Sequence, residues 1–285
     1  MKKERSKKFR RLQLFRTAVQ AAFLGLFFLL LFGAHFSGED YIGRVEAFFH
    51  FDPLLAAATA LASRVFLVYF AWAALTILVT VLFGRIVCGW ICPLGTVHQF
   101  FSWIFRKARL LRPKKPASGG LWIKYAVLAF VLVAALFGLN AAGYLDPLSF
   151  LTRASAAGLF PAFGLGADAL LGAVYAVKLE SLGDTLAQAL STLTLNMTFR
   201  QGFLLGLIFI GAVLLNKIRE RFWCRYVCPL GALLGLFSRY NLFKLKIDES
   251  KCTQCGLCSI HCQTQAAPFP AGGWKSSECV YCETC

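Results

Sequence analysis

The cysteines of this 285-residue chain, eleven in all, fall into groups whose spacing limits their chemistry. From Cys252 the chain reads CTQCGLCSIHC, and from Cys279 it reads CVYCETC. This is a Cys-x2-Cys-x2-Cys-x3-Cys run followed by the start of the same run again. Three thiolates two residues apart on a tight loop wrap three corners of an iron–sulfur cube, and the fourth, set further on, reaches the neighbouring cube. On that rule Cys279, Cys282 and Cys285 with Cys262 complete one [4Fe–4S] cluster. Cys252, Cys255 and Cys258 hold a second, whose fourth ligand is expected from a continuation of the natural chain past Cys285 as x-x-x-Cys. Gln263 stands where the bacterial pattern usually has proline, a small departure because the thiols do the ligating. Structural zinc would prefer two separated Cys-x2-Cys pairs.

The remaining four cysteines lie in a phrase that occurs twice. Residues 88–95 read CGWICPLG and residues 224–231 read CRYVCPLG, and at the same offset Arg85 matches Arg221, Phe101 matches Phe237 and Ser102 matches Ser238. If the preceding segment stays helical, Cys at i and i+4 share one side of it, and the proline favours an extended conformation at the residue before it. A free cysteine often simply packs, but two matching thiol pairs at matching depth point to a redox or metal role. Either Cys88, Cys92, Cys224 and Cys228 close one thiolate site between the helices, or each pair works as a dithiol.

The elements that position these thiols are hydrophobic. With 58% hydrophobic residues, 28 Phe and 15% charged residues, too few polar groups exist to coat a globule, and the chain reads as a membrane protein. Apolar stretches at Thr17–Phe36, Val65–Gly84, Tyr125–Leu145 and Gln201–Asn216 predict four transmembrane helices, the last one short. The net charge of +16 gathers beside these spans, which favours an anionic lipid surface over nucleic acid. The basic leader, the loop at 106–115, and Lys217, Arg219, Arg221 and Arg225 are expected on the cytoplasmic side, with both termini. That placement keeps the thiols reduced and excludes a disulfide framework. The leader is followed by too long an apolar run for a secretory signal, so it reads as a retained anchor. The segment 146–199, interrupted by Pro161, Gly164, Gly166 and Asp168, reads as helices lying at or dipping into the outer interface, with two extra spans as the alternative. The expected organisation is a basic leader (1–16), a membrane domain carrying both repeats (17–245), and a cytoplasmic ferredoxin-like 2[4Fe–4S] domain (246–285).

Four spans, the paired VCGWICPLG and WCRYVCPLG phrases and the ferredoxin-like tail resemble the NapH-type membrane ferredoxins, relatives of the membrane part of NosR. The resemblance covers nearly the whole chain. It implies a multi-pass protein of a bacterial inner membrane, the electron-transfer component of a quinol dehydrogenase system. Such a component takes electrons from membrane quinol and passes them through [4Fe–4S] clusters to a partner redox protein, a ferredoxin or reductase subunit. A membrane redox or metal-sensing regulator, or an assembly factor using the same clusters, is the alternative. A passive tether for the tail is less compatible with two matched thiol pairs. No Rossmann or P-loop glycine pattern occurs, so neither a nicotinamide site nor nucleotide hydrolysis is indicated.

A second doublet, FDPLL at 51–55 and LDPLS at 145–149, places Asp before Pro at a helix start, where Asp caps free amides and proline loses no hydrogen bond. Capping accounts for both. A quinol site on the outer side would in addition need a proton acceptor, for which Asp52, Asp146, His50 or Arg153 qualify, with Arg64 a further ionisable candidate. His98 and His261 read as surface or packing residues, and His261 can tune a neighbouring cluster by hydrogen bonding.

Overall fold

The structure is a computed structural model that describes residues 2–37, 39–64, 70–108, 120–176, 184–187, 202–245, 250, 252, 255–266 and 274–283. Residues 65–69 of the second expected span, the loop at 112–119, residues 188–201 and Cys285 lie outside the described residues. The architecture is helical, as the apolar patterning requires.

The first helix, α1 (Lys2–Ser37), joins the leader and the first expected span in one 36-residue element. Its stretch Arg10–Gly33 is long and apolar enough to cross a membrane. Helix α2 (Glu39–His50) folds back on α1, and α3 (Pro53–Ser63) and α4 (Phe70–Phe83) follow. Helix α7 (Ile123–Leu136) packs against α3 and against α13 (Pro229–Phe237). Phe27, Leu54, Leu94, Val131, Leu151 and Leu234, each from a different helix, are fully or almost fully buried in one core.

The third expected span, Tyr125–Leu145, is not one helix. It ends at Leu136 because Gly138 turns left-handed (φ 77°), and the chain restarts as α8 (Ala142–Leu145). At about 1.5 Å per residue the 14 residues of α7 rise roughly 20 Å, against the ~30 Å hydrocarbon core of a bilayer. Helices α4 and α11 (Gly202–Leu214) are apolar and begin at the edge of the described residues.

The segment after Asp146 also departs from expectation. Helix α9 (Pro147–Ala154), a π turn (Ser155–Leu159) and α10 (Phe160–Ala176) form one 30-residue apolar run, the second element long enough to span. Pro161 does not break it. The π turn shifts the bonding register just before the residue that lacks an N–H, so little regular hydrogen bonding is lost there.

This run meets α11 through glycine. A Cβ placed on Gly202 would lie 2.0 Å from the carbonyl oxygen of Ala157, and one on Gly158 would lie 3.0 Å from the Cα of Gly206. Gly202 and Gly206 form a small-xxx-small pair, which lets two helix backbones approach where apolar side chains give no net drive to associate.

The two repeats adopt matching conformations. Each has a short helix, α5 (Ile86–Trp90) or α12 (Phe222–Tyr226), then a break, then a helix beginning at proline, α6 (Pro93–Lys107) or α13. Cys92 (φ −61°, ψ 117°) and Cys228 (φ −61°, ψ 111°) are the extended N-cap residues. The thiols of each pair therefore sit on two helical pieces, not on one continuous face, because the proline ring clashes with a helical residue before it.

Replacement of Gly202 by Ala is expected to destabilise the protein by about 1–3 kcal/mol through overpacking against Ala157. Gly211→Ala, on the same helix with open space around it, should leave the thermal midpoint in detergent unchanged or raised. Equal midpoints for the two variants would contradict the close crossing.

Candidate functional site

Cys88, Cys92, Cys224 and Cys228 come together. Their side chains, with Arg85, Arg221, Pro147 and Gly231, surround a small void of about 20 Å³ between the two repeats. The glycines that follow each motif are required by crowding. A Cβ on Gly95 would lie 2.8 Å from the carbonyl oxygen of Cys88, and one on Gly231 would lie 2.7 Å from Nη2 of Arg85. The Gly231 amide donates to Sγ of Cys228 at 3.2 Å. Burial, followed by the neighbouring thiols, pushes the Cys92 and Cys228 thiols up, and burial does the same at Cys224 despite the opposing pull of Arg221. Four thiolates there therefore demand cationic compensation.

Two buried arginines are placed to give part of it, and each reaches the other repeat. Arg85 extends to Gly231 and lies near Cys88 and Cys228, while Nη1 of Arg221 points at the Cys88 carbonyl (3.5 Å) and its Nη2 donates to Gln99. The amide of Arg221, held left-handed at φ 51°, donates to Ser102 Oγ at 3.4 Å. Among the described residues no three His, Cys, Asp or Glu side chains are grouped as ligands of a single metal ion. The thiols ring a void instead.

The tail closes the site. Glu278 is buried between Lys124 (2.5 Å) and Arg85 (3.3 Å), both themselves fully or almost fully buried. Arg85 Nη1 also donates to the Ser277 carbonyl (3.1 Å), Ser238 Oγ to the Ser276 carbonyl (3.0 Å) and Trp90 Nε1 to the Tyr281 carbonyl (3.0 Å). A Cβ on Gly89 would lie 2.0 Å from the Val280 carbonyl oxygen, so the tail backbone rests directly on the first motif. Glu278, Val280 and Thr264 complete the wall of the four-thiol void. From the leader end of α1, Gln13 Nε2 donates to the Glu283 carbonyl at 2.6 Å.

Within the tail, Cys279 lies against both Cys262 and Cys282. Cys262, Cys279, Ala266 and Cys258 share a small apolar cluster. Three of the four residues expected to hold one cluster, Cys262, Cys279 and Cys282, are thus neighbours, whereas Cys258, expected to hold the other, packs on the same apolar cluster. Burial pushes the Cys279 thiol up to about 12. The Ala266 amide donates to Cys262 Sγ at 3.2 Å. Cys252 is half-buried and Cys255 exposed.

The Asp-Pro doublet caps helices as expected. Asp52 Oδ1 accepts from the amides of Leu54 (2.8 Å) and Leu55 (3.2 Å), and Asp146 Oδ2 from those of Leu148 (2.9 Å) and Ser149 (3.1 Å). Both are buried and their carboxyl groups meet, with Asp52 lining a cavity that Cys92 also lines, because α3 and α9 begin inside the molecule. The other candidates fall away from this point. Arg64 is the exposed, left-handed C-cap of α3, Arg153 stacks over the Tyr144 ring at 4.3 Å, and His50 ends α2. His98 is buried, not on the surface: Asn216 accepts from the Phe222 amide (3.1 Å) and pairs with His98 Nδ1 (2.7 Å), which sets the imidazole as a packing group with its proton on Nε2. His261 is exposed at the end of α14 (Leu257–His261).

Sequence reasoning missed the Arg85–Glu278–Lys124 cluster, the meeting of the two Asp carboxyls, and an apolar cavity of about 500 Å³ bounded by α1, α2, α4 and the first motif. The recurrence of Arg85 as Arg221 was a signal for the first, whereas Glu278 and Lys124 carried none.

The four cysteines and their charged frame match known iron–sulfur sequences. A family model described as a 4Fe-4S binding domain matches twice, over residues 65–112 and 201–248, one copy around each Cys-x3-Cys-Pro phrase. A second model of the same description matches residues 245–267. The chain is 26% identical over 246 residues to the ferredoxin-type protein NapH of Haemophilus influenzae, covering 82% of this chain and 70% of that one. It is 27% identical to the methylamine utilization ferredoxin-type protein MauN of Paracoccus denitrificans (71% of this chain, 56% of the relative), and 27% identical to the regulatory protein NosR of Stutzerimonas stutzeri (72% and 23%). The chain thus spans little more than half of MauN and under a quarter of NosR. It is related in sequence to these proteins and carries 4Fe–4S binding domains of the ferredoxin type. No solved structure matches it.

Glu278→Gln leaves Arg85 and Lys124 buried without a counter-charge, at a cost of about 3–5 kcal/mol. The variant should show a lowered thermal midpoint and faster tryptic cleavage at Lys275, as the tail leaves the motifs. Unchanged midpoint and protease resistance would show that the ion cluster does not hold the tail.

Proposed function

We propose that the protein is a membrane-embedded electron relay that takes electrons from a lipid quinol and delivers them to a partner redox protein. The observation that carries this reading is the convergence of both Cys-x3-Cys-Pro repeats on one void whose wall is completed by the tail. Cys88, Cys92, Cys224 and Cys228 hold one cluster. Cys262, Cys279, Cys282 and Cys285 hold the next, and Cys252, Cys255 and Cys258 part of a third, so the relay has one cluster more than the tail alone provides. What supports such a group is the donor set: the four inner thiols converge on one void, and Arg85 and Arg221 lie where they offset the negative charge of thiolate ligands. Bound iron–sulfur clusters supply one-electron acceptance and release.

The chain's own residues orient and insulate. Arg85, Lys124 and Glu278 lock the tail against the inner thiols, and Gly89 lets Val280 approach without a gap for water. Membrane placement is supported by two helices of spanning length and by the outward apolar faces of the shorter ones, with Phe203 82% and Phe130 61% exposed. Gln13 of the leader, the Arg106–Glu220 pair (2.7 Å) and Arg225, which donates to Gln265, lie on or near the tail side. That is the clustering of basic segments expected at a cytoplasmic face. This reading keeps the domain scheme of leader (1–16), membrane body (17–245) and ferredoxin-like tail (246–285), with Gln13 of the leader bonded to the tail.

Anaerobically purified protein should contain iron and acid-labile sulfide, and a quinol analogue should reduce it at turnover rates. The double variant Cys88→Ser/Cys224→Ser should lose the iron of one cluster, about four atoms for a cube, and should block quinol-driven reduction of the tail while dithionite still reduces it. Zinc in place of iron, or full quinol-driven reduction in the double variant, would refute the relay.

A further inference from the structure

Two buried oxygens have no partner: Oδ2 of Asp52 and Oδ1 of Asp146. In each residue the other oxygen is committed to capping a helix. The free ends of the two carboxyl groups meet in an interior where Asp52 is 1% and Asp146 0% exposed. Two bare acceptors cannot satisfy one another, and an unsatisfied buried acceptor costs about 1–3 kcal/mol, more when charged. One proton between them converts the clash into a charge-assisted O–H···O bond. The N-termini of α3 and α9 favour the single negative charge that remains.

Asp52 also lines the cavity of about 500 Å³, whose walls are Phe23, Leu26, Leu30, Phe48, Leu75 and Val79. This is within the range of small-molecule sites, roughly 300–1,000 Å³. Cys92 and Leu230 line both this cavity and the four-thiol void, so these two side chains form the partition between them. Apolar walls, a proton-holding acid pair and contact with an electron-accepting site specify the ligand more narrowly than any one of them.

We infer that this cavity is the binding site of the lipid quinone, and that Asp52 and Asp146 act there as one carboxyl pair sharing a single proton. The inference rests on the relay reading and locates its substrate. A hydroquinone hydroxyl donates to a free lone pair of the pair, and the shared proton, moved outward, serves a quinone carbonyl. Oxidation of the hydroquinone releases two electrons and two protons. The electrons leave singly to the iron–sulfur chain. The pair has room for one proton at a time and must release it to water before taking the second. Asp52, which lines the cavity, is thus a further catalytic residue, and Asp146, which acts through it, is a positioning residue; the capping role explains why both are held so rigidly.

The test uses a photoreactive short-chain azidoquinone on the full-length protein in lipid nanodiscs, with peptide mapping, and infrared difference spectroscopy of the carboxylic C=O stretch. Asp52→Asn and Asp146→Asn keep the helix caps but remove the shared proton, and Leu26→Trp fills the cavity without touching the caps. Saturable labelling is expected on peptides 23–30 and 48–53. Affinity should fall about tenfold or more in Asp52→Asn, the equivalent of one charge-assisted hydrogen bond, and similarly in Leu26→Trp. The carboxylic band of the native protein should disappear in both Asn variants. Labelling confined to other peptides, affinity within twofold of native in Asp52→Asn and Leu26→Trp, or a carboxylic band that survives both substitutions would overturn the site. Iron is measured in parallel. Labelling here in a protein without iron supports the site and refutes the relay, whereas iron-loaded protein reduced by quinol but labelled elsewhere keeps the relay and overturns the site.

Discussion

Proline placed one residue after an aspartate or a cysteine is the constraint on which this molecule is built. Four helices begin this way, at Asp52-Pro53, Cys92-Pro93, Asp146-Pro147 and Cys228-Pro229. The ring disfavours a helical conformation in the residue before it, and at these four positions the chain turns, so the side chain at the turn becomes the cap. Because these breaks fall in the interior, four helix N-termini and their unsatisfied amides gather around one region. That region favours negative charge without a net charge of its own. Thiolates and carboxylates are the groups found there.

Anionic ligands held in an apolar body also need full counter-charges, and their arrangement ties the tail to the helices. Arg85 serves two partners at once, the inner thiols and Glu278, and Lys124 completes the neutralisation of Glu278. A buried pair adds little net stability compared with an apolar replacement, but removal of one member is costly. The cluster therefore works as a registration device. It admits one docking position, and glycines at 84 and 89 remove the side chains that would hold the tail away: a Cβ on Gly84 (φ 73°) would lie 2.6 Å from the Tyr281 ring. Body and tail are one electrical unit.

One of these breaks also limits a helix's length: α3 runs only 11 residues from Pro53 to its left-handed cap at Arg64. Irregular backbone is tolerable in an apolar body only where protein encloses it, and here the long helices α1 and α9–α10, the second running through its π turn, pack against α6 at the first motif.

Much of this was legible from residue types and spacing, since thiol spacing and the proline after each second cysteine act over a few residues. The tail's cluster pattern, the doubled motif, the extended caps at Cys92 and Cys228 and the capping by Asp52 and Asp146 are local consequences of covalent geometry, which a sequence states directly. Span lengths were read less well, because hydropathy registers apolar residues on either side of a turn such as that at Gly138 as one stretch. Which groups meet was decided by tertiary structure alone. Asp52 and Asp146 are distant in the chain, yet they touch one another near Cys92, and Glu278 finds Lys124 and Arg85 across more than 150 residues. Such pairings are set by long-range packing of helices, and the energy that selects them, desolvation of charge in a shared interior, does not exist until that interior has formed.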